Sequence, residues 1–530
     1  MNGRLNKPGS RVRCCILPQP CELASPGAPI LFDFETVSDK VSWIFHAQCQ
    51  TRIARNCLMP SWLAKQSKAR GRCPTPQSSA ELRRATLVPV IFDLIVAALG
   101  ITCPFTVRLV GSLPIAEIIV IPLLPVLLIA QGRKIFRPDL RPIYALCALW
   151  LFAQVMTDLY RGMTAPGQWM RSYAAIIFFV LDIMVMAALT SGRTRRKLIF
   201  FGCYAASSLI QARFFPATLA IEPSWKFGYA DGTMTLVLLL SCYFYSRRRY
   251  SVVVVLFLAL IVVNLLQNFR SPLLFLFVTL AVVVPVIPER VGRLRLLPSK
   301  GSAMRALSVV VLSLVAGFAA RSVLGWATEK GLAGEEEQQK NEQQAAAGSW
   351  LDYLFAGRPE FRVSLRAVAD SPLIGHGSDP DEPKYLEMLT DQQVEAGGVD
   401  MLQNMSEWLG GHIPVHSFLL QAWVGAGVLG SLVWIYLLVV CVKSILRVAI
   451  TIPPAAPYLT FLFLEFFWGI FFSPFGSTER FTIAGTILMM VDLLQSAELV
   501  SSRTQGAYLS GWRRGRWARH QGGGRIPLRT

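Results

Sequence analysis

LVLLLSCYFYSRRRYSVVVVLFLALIVVNLLQNFRSPLLFLFVTLAVVV, residues 236–284, carries long apolar runs interrupted by little more than Arg247-Arg248-Arg249 and Arg270. Bounded generously, the runs cover 227–245, 250–268 and 271–288. Each approaches the ~20 helical residues that cross a bilayer core. They are apolar all round, which suits a helix in lipid better than the surface helix of a soluble domain. Outward from this stretch the pattern repeats at 88–107, 114–130, 142–157, 172–190, 198–215, 306–324, 424–442, 457–472 and 480–496. With 53% hydrophobic and only 16% charged residues, the composition agrees. The expected fold class is all-α, a polytopic transmembrane helical bundle of about twelve spans.

The formal charge of +19 is spread over short loops and both tails rather than gathered in one stripe, which argues against nucleic acid as a partner. Arg133, Lys134, Arg137 and Arg141 follow the second run, Arg193, Arg195, Arg196 and Lys197 the fourth, and Arg247–Arg249 the sixth. Arg290, Arg293, Arg295, Lys300 and Arg305 follow the eighth, Lys443 and Arg447 the tenth, and Arg513–Arg519 the last. Every even-numbered run thus ends at a basic loop, which by the positive-inside rule places those loops and both termini in the cytoplasm.

The expected organisation is a basic segment 1–86, spans 87–324, a large outer-face loop 325–415 before the tenth span, spans 416–496 and a basic cytosolic tail 497–530. The first segment reads as a disordered cytosolic tail, or as residues preceding a true start such as Met59. It lacks the apolar core of a signal peptide. The outer loop is rich in acid (Glu335–Glu337, Asp379, Asp381, Glu382, Glu387, Asp391, Glu395) and contains the low-complexity piece 335–347, EEEQQKNEQQAAA. Residues 350–370 follow an amphipathic helical pattern. The 11 cysteines show neither a disulfide framework nor metal-ligand spacing.

Several cations belong to the outer side. Arg270 stands between two adjacent runs, where a charge is costly unless it meets water or a partner, so it is a functional candidate. Arg358, Arg362 and Arg366 are spaced by helical turns, and a guanidinium suits bidentate phosphate binding. Arg213 and Lys226 flank another outer loop and either line the same site or touch lipid headgroups. His416 precedes the tenth span, and a histidine, titrating near pH ~6.5, can accept a proton. His376 and His412 share its loop, but their spacing fits no zinc pattern, so no metal and no cofactor is expected. Asp379-Pro380-Asp381 matches the metal-binding motif of nucleotide-sugar transferases, but reads better as solvated acidic loop.

Gly357-Arg358-Pro359-Glu360, then Ser371-Pro372-Leu373-Ile374-Gly375-His376-Gly377, then His416-Ser417-Phe418-Leu419-Leu420-Gln421 with Gly427 and Gly430 form a series. This series resembles the O-antigen ligase and polymerase family of bacterial envelope glycan assembly. The chain departs from the family pattern at Arg362, where tryptophan is usual, and at Ser417, where asparagine is usual. The resemblance implies a glycosyltransferase of the bacterial inner membrane, working at the periplasmic face. Its donor would be an undecaprenyl-pyrophosphate-linked glycan, and its acceptor another glycan or lipid A-core, with membrane lipids around it. It implies His416 as base or acceptor-positioning residue and Arg270 and Arg358 as pyrophosphate clamps, in a metal-independent, inverting displacement. Polymerase is slightly favoured over ligase. The alternative is a transporter or flippase of lipid-linked oligosaccharide, although the sequence shows no convincing internal repeat.

Overall fold

A computed structural model describes residues 79–108, 111–163, 166–215, 225–267, 269–283, scattered positions between 311 and 330, 358–378, 380, 382–395 and 413–496. The chain divides into two compact units, Met1–Leu82 and Arg83–Thr530. Nearly all of the first lies outside the described residues, as do most of run 306–324, the acidic piece 335–347 and the tail 497–530.

The second unit is helical. In chain order come α1 (Ser79–Thr102), a two-stranded antiparallel hairpin of β1 (Thr106–Arg108) and β2 (Ser112–Pro114), α2 (Ile115–Ile135), α3 (Arg141–Arg161), α4 (Pro166–Thr190) and α5 (Thr194–Phe214). A π-helical turn, Trp225–Tyr229, opens into α6 (Ala230–Ser246), followed by α7 (Tyr250–Leu266) and α8 (Arg270–Val283). Then come α9 (Pro359–Asp370), α10 (Pro383–Glu395), α11 (Phe418–Thr451), α12 (Ala456–Phe472) and α13 (480–496). Apart from 306–324, each expected run coincides with a helix.

Among the described residues, four helical stretches are long and apolar enough to cross a membrane: Ile115–Ile135, Arg141–Arg161, Trp169–Thr190 and Phe418–Thr451. Pro89–Thr102, Tyr250–Leu266, Arg270–Val283 and Ala456–Phe472 are apolar but shorter. The first run ends earlier than its hydropathy suggests. Pro104 disfavours helix in the residue before it, and the chain continues as the β1–β2 hairpin.

Local chemistry sets the other boundaries. Pro142 and Pro457 sit in the first turns of α3 and α12, where their missing N–H costs nothing. Gly162 closes α3 in a left-handed conformation. Ser417 caps α11 by accepting from Leu420 N–H at 3.1 Å.

The core centres on Trp434 of α11, whose ring lies 5.0 Å from Phe418, 5.1 Å from Phe475, 5.7 Å from Phe179 and 6.0 Å from Trp150. At the opposite end from α11's start, several basic residues are spent on ion pairs. Arg137 meets Asp492 at 2.6 Å, Lys197 meets the same carboxylate, and Arg196 meets Asp93 at 2.6 Å. Deeper inside, Arg480 of α13 donates to both oxygens of Glu117 of α2 at 2.8 and 2.7 Å, with Asp182 of α4 buried in the core.

Candidate functional site

The site begins with a break. Within apolar α11, Ala426 (φ −126°, ψ 16°) and Gly427 (φ 64°, ψ −164°) leave helical geometry. A break exposes backbone groups that apolar surroundings cannot satisfy, so something must pair with them. The segment Pro372–Gly377 does so. His376 N–H donates to the Val424 carbonyl at 2.6 Å, and Gly377 N–H to Gly425 at 3.0 Å. In return Val428 N–H reaches the Pro372 carbonyl at 3.0 Å, and Trp423 Nε1 reaches the same oxygen at 2.9 Å.

The approach is close enough to require glycine. A Cβ on Gly427 would stand 2.0 Å from the Leu373 carbonyl oxygen, and one on Gly375 would stand 2.6 Å from Gly427 N. The two glycine-bearing pieces, separated by about fifty residues in sequence, are thus two sides of one backbone junction.

One face of α3 clamps that junction. Thr157 Oγ1 donates to Ile374 O at 2.7 Å, and Arg161 donates to Gly375 O at 2.6 Å and to Ser371 Oγ at 2.9 Å. Asp158 accepts from Ser378 N–H and Oγ, both at 2.6 Å. Gln154 bonds Ser378 Oγ at 3.1 Å and Gly425 O at 3.3 Å. Sequence reasoning missed these four residues. Their signal was available, since polar side chains three, four and seven positions apart share one face of an otherwise apolar helix.

α9 seats on the segment leading into α11, through Ser364 Oγ donating to Pro414 O at 2.9 Å. His376, whose spacing already argued against a metal ligand, is buried as a strut. Its Nε2–H donates to Ala367 O at 2.8 Å, and Nδ1 meets Glu382 Oε1 at 2.5 Å. His412, Asp379 and Asp381 lie outside the described residues. Around this strut the Tyr385 hydroxyl donates to Asp370 at 2.9 Å, holding that carboxyl below its ordinary value with further help from Arg366 and Lys384. Burial and the same bond push Tyr385 up to about 12. Burial alone would raise Glu382, but bonds from His376 and Lys384 outweigh it and leave Glu382 low.

The expected cations separate. Arg358 does not share a helical face with Arg362 and Arg366, because it sits at the non-helical cap of α9 (φ −147°, ψ 69°). Its guanidinium packs over Trp468 at 4.9 Å and Phe472 at 4.8 Å, and Nη1 donates to Phe472 O at 2.9 Å. Burial lowers its pKa against the pull of Glu360, but arginine remains a cation. Arg362 is half-buried, while Arg366 is exposed and pairs with Asp370 at 3.1 Å. Arg270 opens α8, whose Phe275 packs on Trp468 at 5.7 Å. Exposed His416 adjoins Ser417, whose Oγ donates to Ile470 O at 2.7 Å. Arg358, the α8 segment opened by Arg270, and His416 thus converge on the last turns of α12. Gln421 joins them by accepting from Phe475 N–H at 2.9 Å. Arg213 is exposed at the end of α5, with its guanidinium 5.8 Å from the ring of its neighbour Phe214, and exposed Lys226 lies in the π-helical turn.

Among the described residues, no group of three His, Cys, Asp or Glu side chains is placed to hold a metal ion. Comparison of the chain with models of protein families and with curated proteins finds no match.

Proposed function

We propose that this protein is a multi-spanning glycosyltransferase that transfers an undecaprenyl-pyrophosphate-linked glycan to an acceptor at the outer face of a bacterial inner membrane. Polymerisation is slightly favoured over ligation. The reading includes about twelve spans, with the basic loops and both termini cytoplasmic. One observation supports it: the two halves of the family-like series pack on each other, Arg358 and Ser417, the neighbour of His416, bond to carbonyls near the end of α12, and Phe275 of the helix that Arg270 opens packs on Trp468.

In this reading His416 takes the proton of the acceptor hydroxyl as that oxygen attacks the anomeric carbon. The bond from that carbon to pyrophosphate breaks as the new glycosidic bond forms, with inversion. Undecaprenyl pyrophosphate leaves, and Arg358 and Arg270 stabilise its growing charge. Arg358 already rests on two aromatic rings and an α12 carbonyl, so its orientation is fixed before substrate arrives. Arg362 and Arg213 are auxiliary contacts to the pyrophosphate.

A transporter of lipid-linked oligosaccharide is the second reading. The interrupted α11 favours it, because discontinuous helices form the substrate sites of many transporters.

The test is a deletion strain complemented with wild type, His416→Ala or Arg358→Ala, followed by analysis of carrier-linked and surface glycans. Single repeats accumulating on the carrier would indicate a polymerase, and full-length polymer stranded there a ligase. Normal surface glycan from both variants would overturn the proposed site.

A further inference from the structure

The turn Pro372–Gly377 lies alongside apolar helices rather than beyond their ends. Thr157, which donates to Ile374 O at 2.7 Å, stands one turn, about 5 Å, inside the C-terminal end of α3. The α11 carbonyls that receive His376 N–H and Gly377 N–H belong to Val424 and Gly425, about 10 Å along the axis from the start of that helix. α3 and α11 are both long and apolar enough to cross a membrane. The turn is therefore level with the last turn of a spanning helix. Tyr160 and Arg161 at that level, and Trp423, whose Nε1 reaches Pro372 O at 2.9 Å, are the residue types that mark a membrane–water interface.

Two properties of the turn suit hydrocarbon. The first is its backbone. Irregular backbone at membrane depth is tolerated only where protein or enclosed water pairs its polar groups. Here Pro372 O accepts from Val428 N–H and Trp423, Ile374 O from Thr157, and Gly375 O from Arg161 and Ser371. The N–H groups of Gly375, His376 and Gly377 donate to Ser371, Val424 and Gly425. The second property is its tip. The side chains of Leu373 and Ile374 are left 72% and 41% exposed. Met156, Leu159 and Tyr160, which flank Thr157 on α3, are exposed as well. A lone exposed leucine needs no explanation. These two continue a surface that, on a spanning helix, meets acyl chains.

We propose that Leu373 and Ile374 are a membrane anchor, by which the 372–377 turn dips its apolar tip among the phospholipid acyl chains at the C-terminal end of α3. By sequence the turn belongs to the large loop 325–415, and α9, which leads into it, carries exposed Arg366. The chain thus descends from a polar helix, touches lipid at residues 373 and 374, and leaves through buried His376. The same six residues fill the α11 break from one side and meet lipid with the other. The anchor therefore holds the break at a fixed depth. It stands whether or not the chain transfers glycans.

The experiment uses the full chain in liposomes of phosphatidylethanolamine and phosphatidylglycerol. p-Benzoylphenylalanine, whose ketone bonds to nearby C–H groups under near-ultraviolet light, replaces Leu373, Ile129 or Arg366 in turn. Adducts are identified by mass spectrometry. Ile129, 91% exposed on α2, reports lipid, and Arg366, exposed on α9 and paired with Asp370, reports water. Wild-type elution on size exclusion checks the fold of each variant, and Ile374 is a second reporter on the same turn should the variant at 373 fail that check. Hydrocarbon favours a leucine-sized side chain over water at least ~tenfold, so phospholipid adducts at 373 should exceed those at 366 by about that factor and match those at 129. Adducts at 373 no more abundant than at 366 overturn the anchor. So does a protein–protein adduct in place of lipid, which would assign the tip to a second copy of this chain. Phospholipid adducts at none of the positions overturn the anchor together with the lipid-facing placement of α2.

Discussion

Gly427→Ala gives the most direct test of the junction between α11 and the 372–377 segment. Gly427 has φ 64° and ψ −164°, a region open essentially to glycine alone, and an alanine held there costs roughly 1–3 kcal/mol. The new methyl would also stand 2.0 Å from the Leu373 carbonyl, far inside contact distance. That carbonyl cannot retreat freely, because the Pro372 carbonyl beside it accepts from Val428 and the Ile374 carbonyl from Thr157. Displacing the segment forfeits such bonds at about 1 kcal/mol each. The sum is a loss of at least ~3 kcal/mol. The assay is denaturant-induced unfolding of the purified protein in mild detergent, followed by tryptophan fluorescence. Gly132→Ala is the control, because nothing lies within 4 Å of a Cβ there, so alanine in that helix should be neutral or stabilise by up to ~1 kcal/mol. A Gly427→Ala protein as stable as the Gly132→Ala protein would refute the reasoning.

Arg480→Ala should destabilise by about 3–5 kcal/mol, because it strands the buried Glu117 carboxylate. The double replacement of both by leucine should recover most of that loss in the same unfolding assay. Arg161→Lys keeps the charge but removes the guanidinium fork that reaches Gly375 O and Ser371 Oγ. It should speed proteolysis within 371–378, and an unchanged cleavage rate would count against the clamp. The α10 contacts should depend on pH in a defined direction. Asp370 and Glu382 are held low, so their stabilisation is present above the ordinary carboxylate range and is lost as pH falls through their lowered values. Lys384 is held high, so its contribution is present below the ordinary lysine range and is lost only as pH rises through its raised value. Amide exchange in α10, corrected for intrinsic rates, should rise as pH falls below about 4. Exchange that stays unchanged down to about pH 3 would contradict this account.

The helical runs were legible because hydropathy is a local property, and the runs near 236–284 declare themselves without reference to anything else. The hairpin at 106–114 was not, since strands of three residues leave no period to read. Gly375 and Gly427 were visible as a motif, but their reason for being glycine lies in each other. Thr157 and Arg161 were equally visible, yet their partners lie 217 and 214 residues away along the chain. By spacing, Arg358 looked as though it shared a helical face with Arg362. It stands apart because Pro359 starts the helix just after it and the α12 rings receive its side chain. His376 drew notice as a ligand type, whereas burial between Glu382 and Ala367 O made it a strut.

The backbone bonds joining 372–377 to 424–428 also bear on how much of the chain must be continuous. Everything from α1 through α10 lies on one side of residues 396–412, and α11 through α13 lie on the other. The two sides are stitched together by α9 on Pro414, by the loop in the α11 break, by Arg358 on α12 and by Arg480 on Glu117. Two polypeptides divided within 396–412 and made in the same cell should therefore find each other and copurify, much as the fragments of a split reporter do.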